Sequence, residues 1–168
     1  MKNQLIKSVL ISFLIFVASS SMAQQVKKVY FSGYQFCQFQ QMILVGYNKY
    51  QPMFTNYETS TRSGKIEINE KTKHFKIVWT DGDVWNCKYR TKTITTDRDE
   101  AYGNVIITNY AGKWTDEDVE CELHIMKTAN QGCITNVRSG RLNDSDFHTD
   151  AWKKFFVFGT NGECFSNN

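Results

Sequence analysis

Residues 64–90, GKIEINEKTKHFKIVWTDGDVWNCKYR, constrain the fold more than any other part of the chain. Polar and apolar residues alternate along this stretch with a period of two, which is typical of β-strands that have one buried face. Short polar segments at 70–73 and 81–83 divide the stretch into three strands. The pattern therefore predicts an antiparallel meander with one apolar and one polar face.

The lengths of the two turns predict the register of this meander. A four-residue loop at 70–73 places Ile66 opposite Ile77. A three-residue loop at 81–83 places Trp79 opposite Trp85 and Ile77 opposite Cys87. A slip of one residue would move a tryptophan into water, so we expect burial of the apolar face to fix the register.

The first 23 residues have the features of a secretory signal peptide. Lys2 and Lys7 form a positive region, residues 9–18 a short apolar core, and small residues precede Gln24. The apolar core is too short for a spanning helix, and an uncleaved anchor is the less favoured alternative. We therefore expect a signal peptide at 1–23 and one exported β-rich domain at 24–168, periplasmic or extracellular, in a bacterium.

The composition agrees with a single β-rich domain and excludes some partners. Removal of the leader takes away two lysines, which lowers the formal charge from +3 to +1. A net charge so close to zero argues against a nucleic acid or an anionic membrane as partner. Aromatic residues make up 14% of the chain and favour strands, and no second apolar run approaches the length of a membrane span. The oligomeric state stays open.

Five cysteines in an exported protein predict two disulfides and one odd thiol. Their pairing cannot be read from spacing alone, and the favoured pair is Cys121 with Cys133, which flank a predicted turn. The odd thiol is interpreted as buried and inert, with Cys87 on the apolar face as the example; an intermolecular disulfide is the alternative. No C-x-x-C motif supports a redox site or a zinc site. The candidates for disulfides are Cys37, Cys87, Cys121, Cys133 and Cys164.

The segments before the meander are less regular. We interpret residues 28–39 and 42–47 as strands, with Gly33 as a bulge in the first. A helix over residues 35–45 is the alternative. A further short strand is predicted at 54–59, within an otherwise polar loop.

After the meander, hydrophobic patterning predicts strands at 91–95, 103–110, 119–125 and 133–137. Three consecutive apolar residues at 105–107 indicate a strand that is covered on both faces. The last two strands form a predicted hairpin. The loops and turns between the first three strands are placed at 97–100, 111–113 and 115–118.

The apolar spacing becomes helical near the C-terminus. Ser145 can cap a helix, and Lys153 and Lys154 suit its C-terminal end. We predict a short helix at 146–155, then a strand at 156–158 and a tail. The residues that share the apolar helical face are Phe147, Ala151, Trp152 and Phe155.

Together these elements predict an all-β fold of about eight strands with a minor helical part. The expected architecture is a single antiparallel meander that closes as a barrel or packs as a two-sheet sandwich, with one short C-terminal helix. Consecutive hairpins favour the barrel. This arrangement is similar to a lipocalin-type barrel at the level of the fold, although the sequence motifs of lipocalins are absent, so the likeness implies nothing about function.

No motif in the sequence indicates catalysis, a cofactor or a metal ion. His74 and His124 are placed on polar strand faces. His148 lies in the acidic segment 144–150, which lacks the glycine and glutamate of an EF-hand loop and fits a helix N-terminus better. Nucleophile-elbow, zinc-helix and phosphate-loop motifs are absent. We expect no enzyme, and a carboxylate-dependent hydrolase is the weakest alternative.

The aromatic residues carry the leading functional hypothesis. The apolar face of the meander can line a pocket or barrel mouth for a small apolar or glycan ligand, although a packed core is the favoured interpretation of these side chains. We therefore predict an exported, non-catalytic binding module. The alternative is a protein-interaction or envelope-associated domain that acts through surface loops such as 114–118 and through the odd cysteine. The candidate ligand contacts are Phe75, Trp79, Trp85, Tyr89 and Trp114, the last as an exposed loop residue.

Overall fold

The structure is a computed structural model that describes residues 26–47, 49–129, 132–142, 151–160 and 166–167. All regular structure in these residues is β-strand, which confirms the all-β prediction. None of the described residues belongs to a helix long and apolar enough to cross a membrane. The predicted leader lies outside the described residues. The strands are β1 (Val26–Phe31), β2 (Tyr34–Gly46), β3 (Lys49–Phe54), β4 (Glu58–Ser60), β5 (Gly64–Asn69), β6 (His74–Trp79), β7 (Val84–Asp99), β8 (Gly103–Trp114), β9 (Glu120–Thr128), β10 (Cys133–Leu142), β11 (Ala151–Phe158) and β12 (Ser166–Asn167).

These strands form one antiparallel sheet. From β5 to β11, strands that follow one another in the chain are also neighbours in the sheet, as the predicted meander requires. The full path is β12-β1-β5-β6-β7-β8-β9-β10-β11-β2-β3, with β4 beside β2. Because the path ends at β12 and β3, which do not pair, the sheet is not closed and the predicted barrel is not formed among the described residues.

The open sheet curls so that its concave face packs against itself. The ring centroids of Phe31 on β1 and Phe158 on β11 lie 4.7 Å apart, and those of Tyr34 and Trp79 lie 5.1 Å apart. These strands are distant in the sheet order, so only curvature can bring them together. The backbone N–H of Gly159 also donates to the carbonyl of Gly33, next to the β1–β2 connection.

The hydrophobic core fills the inside of this curl. The alternation predicted for β9 is confirmed, since Cys121, Leu123 and Ile125 are buried and the residues between them are only partly buried. Each fully buried aliphatic or aromatic side chain contributes about 2 kcal/mol of transfer free energy. The most completely buried apolar side chains are those of Ile66, Ile68, Phe75, Ile77, Leu123 and Val137.

The predicted register is correct for the first hairpin of the meander and displaced in the second. Ile66 lies opposite Ile77, as expected. Ile77, however, faces Trp85 instead of Cys87, because the last register pair between β6 and β7 joins Val78 to Val84. Gly82 takes a φ of 101° in this turn, a value that suits glycine. The displacement is two residues, so each side chain keeps its face and Trp79 is still only 2% exposed.

The predicted C-terminal helix is wrong where the structure describes it. Residues 151–155 belong to β11, which pairs with β10 on one edge and with β2 on the other. Phe156 and Phe158 alternate into the core, and aromatic residues favour such half-buried strands. Sheet pairing on both edges therefore overrides the helical spacing. The first half of the predicted helix, residues 146–150, lies outside the described residues.

The N-terminal segment also differs from its prediction. Gly33 is not a bulge but part of the break between β1 and β2, where an added Cβ atom would lie 2.7 Å from the carbonyl oxygen of Ser60. Strand β2 continues to Gly46, which excludes the alternative helix at 35–45. The short strand predicted at 54–59 is replaced by β3 and β4.

Strands β7 and β8 are longer than predicted and form a ribbon that extends beyond β6. The expected turn at 111–113 is part of β8. Register pairs join β6 to β7 only as far as Lys88, so the rest of β7 pairs with β8 alone. Ile106 on this ribbon is 47% exposed whereas Val105 is buried, so the strand is not covered on both faces as predicted.

A disulfide between Cys87 and Cys121 joins β7 to β9 across β8. The predicted bond between Cys121 and Cys133 is therefore wrong, and Cys87 is not an inert thiol. The two Cα atoms are 7.0 Å apart, whereas strands that flank a third in a flat sheet are about 9.6 Å apart. Gly112 on β8 is the register partner of Tyr89 and of Cys121, and an added Cβ atom there would be 2.2 Å from the carbonyl oxygen of Lys88. The backbones of β7 and β8 thus approach closely at this glycine.

Cys37 is a buried cysteine that forms no disulfide bond with the described residues. Its side chain is 3% exposed, and burial raises its pKa, opposed by a hydrogen bond with Tyr57. A buried thiol with a raised pKa is a poor nucleophile. Cys164 lies outside the described residues, so the second predicted disulfide and the identity of the odd cysteine stay predictions.

Candidate ligand-binding cleft

Two tryptophans on neighbouring strands line a cleft of about 200 Å³ at one end of the sheet. Trp85 lies near the start of β7 and Trp114 is the last residue of β8. Their ring centroids are 6.1 Å apart and their planes are inclined by 72°. Both side chains are half-buried, so each combines a fixed position with a surface that a ligand can contact.

Trp85 is held in place by aromatic rings from two other strands. Its ring packs edge to face against Trp79 of β6 at 5.2 Å and against Phe156 of β11 at 5.4 Å. Phe156 is brought here by the curl of the sheet, since β7 and β11 are far apart in strand order. Aromatic pairs with this geometry contribute about 1 kcal/mol beyond their burial. The wall formed by Trp85 is therefore rigid before any ligand arrives.

Trp114 is fixed by one ring contact and one hydrogen bond. Its ring packs against Phe75 at 5.8 Å in an edge-to-face arrangement. Its indole Nε1–H donates a hydrogen bond of 2.8 Å to the hydroxyl oxygen of Ser139 on β10. The polar end of the indole is satisfied by the protein, so a ligand meets mainly its apolar surface.

An acidic loop at residues 115–118 forms one rim of the cleft. Asp116 and Glu117 are exposed and line the cleft, while Lys154 lies on another side. The backbone N–H of Thr115 donates to the carbonyl of Asn86 at 2.8 Å, which anchors the start of the loop to β7. The cleft therefore has aromatic walls and a charged rim with two carboxylates and one ammonium group.

Asn86 also lines the cleft, next to Trp85. Its register partner on β6 is Lys76, on the polar face of the meander, so its side chain does not share the face of the two tryptophans. Its backbone carbonyl holds the start of the acidic loop by accepting the N–H of Thr115.

The structure separates the five residues that the sequence proposed as ligand contacts. Phe75, Trp79 and Tyr89 are at most 5% exposed and belong to the hydrophobic core, so they offer no ligand surface. Trp85 and Trp114 are brought together in the cleft. Trp114 is a half-buried strand residue and not the exposed loop aromatic that was predicted.

Sequence reasoning missed the cleft residues that come from β10 and β11. Ser139, Lys154 and Phe156 reach the cleft only because β10 pairs with β9 and the sheet curls to bring β11 near β7. The acidic loop was recognised, and its position directly after Trp114 was the one local signal for the site.

The described histidines do not line the cleft. His124 is half-buried; burial, followed by the nearby charge of Arg138, lowers its pKa, and its Nδ1 lies 3.2 Å from the amide nitrogen of Asn136. His74 Nδ1 lies 2.7 Å from the carbonyl oxygen of Thr72, on the polar face of the meander as predicted. His148 and the acidic segment around it lie outside the described residues. No group of three or more metal-ligating side chains occurs in the described part of the chain.

Comparison of this chain with protein-family models, curated proteins and solved structures finds no significant match. The geometry of the cleft is therefore the basis for inferring a function. Aromatic walls suit the apolar C–H faces of a sugar ring, and carboxylate groups at a rim suit its hydroxyl groups.

Proposed function

We propose that this protein is an exported, non-catalytic binding module whose cleft between Trp85 and Trp114 holds a sugar unit of a glycan. The observation that carries the proposal is that both tryptophans line one cleft of about 200 Å³ beside an acidic loop. Export is supported by the signal-peptide features of the first 23 residues.

Size and polarity favour a glycan over a small apolar ligand. Pockets for drug-sized apolar ligands measure about 300–1,000 Å³ and enclose most of the ligand. The cleft is smaller, and exposed Asp116, Glu117 and Lys154 lie at its rim. The rim carboxylates accept hydrogen bonds, which sugar hydroxyls donate and a hydrocarbon cannot.

The protein-interaction alternative stays an untested prediction. It depends on surface loops such as 114–118, of which residues 115–118 are exposed, and on the odd cysteine. Trp114 is half-buried with its indole N–H engaged, and the free thiol of Cys37 is buried. The hydrolase alternative depended on His148, which lies outside the described residues, so it stays an untested prediction.

The proposal is tested with the mature chain, residues 24–168, on a glycan array, followed by calorimetric titration of the glycans that it captures. The double variant Asp116→Asn/Glu117→Gln removes the acidic rim without changing side-chain volume. We expect it to weaken glycan binding by about tenfold, since hydrogen bonds to charged groups contribute about 1.5–3 kcal/mol. Asp97→Asn, an exposed acid on the distal ribbon, is the matched control and should bind like the wild type.

Two results would reject the proposal. One is the absence of any captured glycan for a chain that is shown to be folded. The other is that Trp114→Phe and the double variant, measured separately, both bind the glycan as tightly as the wild type, because the cleft would then play no part.

A further inference from the structure

A second cavity, of about 330 Å³, lies on the face of the sheet opposite the core. It extends across β7 to β11 and is separate from the tryptophan cleft. Four cationic and two anionic side chains line it. The cations are Arg90, Lys113, Arg138 and Arg141, and the anions are Glu120 and Glu122. We call this cavity the arginine groove.

Existing ion pairs account for only part of this charge. Arg138 contacts Glu122 at 3.5 Å, and the same glutamate accepts a hydrogen bond from the amide of Asn109. Lys113 is paired with Asp118 at 2.6 Å. The Nε atom of Arg138 is nevertheless buried without a hydrogen-bond partner among the described residues. The side chain of Arg138 as a whole is 32% exposed, so an oxyanion in the groove can reach part of it.

Arg90 reaches the groove because of an irregularity in β7. The register of β7 against β8 shifts between Tyr89 and Thr91, which makes Arg90 the extra residue of a β-bulge. Bulges redirect side chains and are common beside functional sites. Arg90 is exposed and makes no ion pair within the described residues, so its guanidinium is available to a ligand.

The floor and one end of the groove suit a sugar ring. Thr91, Ala111 and Gly112 lie between the charged side chains and leave an open floor. Ala111 is the register partner of Thr91 and Glu122 on this face, and its small side chain leaves the floor open. Half-buried Trp152 supplies an aromatic surface on which a ring can stack.

We infer that the arginine groove binds an acidic sugar, with its carboxylate or sulfate held by Arg90 and Arg138. Guanidinium groups bind planar or tetrahedral oxyanions through paired hydrogen bonds, which lysine cannot reproduce. The groove gives the protein a second carbohydrate contact on the opposite face of the same strands. Its ligand chemistry is independent of the neutral sugar proposed for the cleft.

The test uses calorimetric titration of the mature chain with three probes: a tetramer of galacturonate, a heparin-derived tetrasaccharide and uncharged cellotetraose. We expect one of the two acidic probes to bind, with an affinity that falls as salt rises. Arg90→Gln should weaken this binding by about tenfold. Arg98→Gln is the matched control, since it removes the same charge about 26 Å further along β7, and should stay within about twofold of the wild type.

Preference for the galacturonate or for the heparin fragment would identify the oxyanion as carboxylate or sulfate. The inference is overturned if neither acidic probe binds the folded protein, or if Arg98→Gln weakens binding as much as Arg90→Gln. It is also overturned if Asp116→Asn/Glu117→Gln changes the binding of the acidic probe by more than about twofold, because the groove would then not be a separate site. Unchanged thermal unfolding of Arg90→Gln serves as the folding control.

Discussion

The indole nitrogen of Trp114 donates a hydrogen bond to the hydroxyl oxygen of Ser139 over 2.8 Å. This bond connects β8 to β10 across the intervening strand β9. The bond fixes the cleft wall formed by Trp114 to β10, whose residue Ser139 also lines the cleft. The cleft is therefore held by the curved sheet and not by a flexible loop.

Replacement of Ser139 by alanine should loosen that wall. The half-buried indole N–H would lose its acceptor, which costs about 1 kcal/mol of unfolding free energy. We also expect weaker binding of any glycan that the cleft takes, because Trp114 would no longer be held before binding. Urea unfolding and calorimetry measure the two effects. Ser32→Ala, at an exposed serine between β1 and β2, is the control and should change neither.

The disulfide between Cys87 and Cys121 should be the main covalent stabiliser of the described fold. It closes a loop with a sequence separation of 34, for which chain entropy gives about 4 kcal/mol. Reduction, or the pair of substitutions to serine, should lower the unfolding free energy by an amount of this order. Peptide mapping without reductant should recover the two cysteine peptides linked to each other. A link between Cys121 and Cys133 would contradict the assignment.

Alanine at Gly112 should be severely destabilising. Its Cβ atom would lie 2.2 Å from a backbone oxygen and 2.4 Å from Tyr89 Cα, and backbone atoms of neighbouring strands cannot move aside cheaply. We expect a loss of more than about 3 kcal/mol or failure to fold. Gly46→Ala is the matched control, because its nearest contact would be 3.8 Å from Lys49 Cβ. Similar unfolding midpoints for the two variants would show that the backbones of β7 and β8 do not approach so closely at Gly112.

Glu70 should make stability depend on pH in the acidic range. Its carboxylate accepts hydrogen bonds from Lys27 at 2.9 Å, Lys92 at 3.0 Å and Tyr110 at 3.2 Å. The lysines, Lys27 first, lower the pKa of Glu70 from 4.5 to about 2. Because the folded pKa is below the unfolded one, the ionised carboxylate stabilises the fold above about pH 4.5, and this stabilisation is lost as the pH falls towards 2.

The variant Glu70→Gln tests this dependence. The side chain of Glu70 is 38% exposed, so solvent screening limits the expected loss of unfolding free energy in Glu70→Gln to roughly 1 kcal/mol at pH 7. This difference in unfolding free energy between the variant and the wild type should disappear near pH 2. Glu58→Gln, at an exposed acid that has no ion pair within the described residues, should show no such convergence. If the unfolding free energies of Glu70→Gln and the wild type differ by a constant amount from pH 7 to pH 2, ionisation of Glu70 is not the cause of the pH dependence.

The sequence predicted side-chain faces better than it predicted connections. Alternation in residues 64–90 correctly placed Phe75, Ile77 and Trp79 in the core, because burial of one face depends only on parity. The second turn was misjudged by two residues, an error that preserves parity and so cannot be detected from the pattern. Turn geometry depends on contacts such as those of Arg62 with Asp81, at 2.6 Å, which no local pattern shows.

The errors near the C-terminus have a different physical origin. Trp152 and Phe155 have helical spacing, but β11 gains hydrogen-bonded partners on both edges, and this long-range pairing outweighs local preference. Long-range pairing also explains why the sequence predicted only part of the candidate site. Trp85 was visible from the meander, whereas Phe156 and Ser139 join it only through the curl of the sheet.

The most direct test of the proposed cleft is a two-dimensional ¹H–¹⁵N NMR spectrum of the indole N–H groups during titration with an array-selected neutral glycan. The chain has four tryptophans, so each gives one assignable signal. We predict that the signals of Trp85 and Trp114 move with the glycan concentration. The signals of Trp79, which is buried in the core, and of Trp152, which lies in the arginine groove, should stay in place. Shifts confined to Trp152, or no shift at any tryptophan while the glycan binds, would contradict the account.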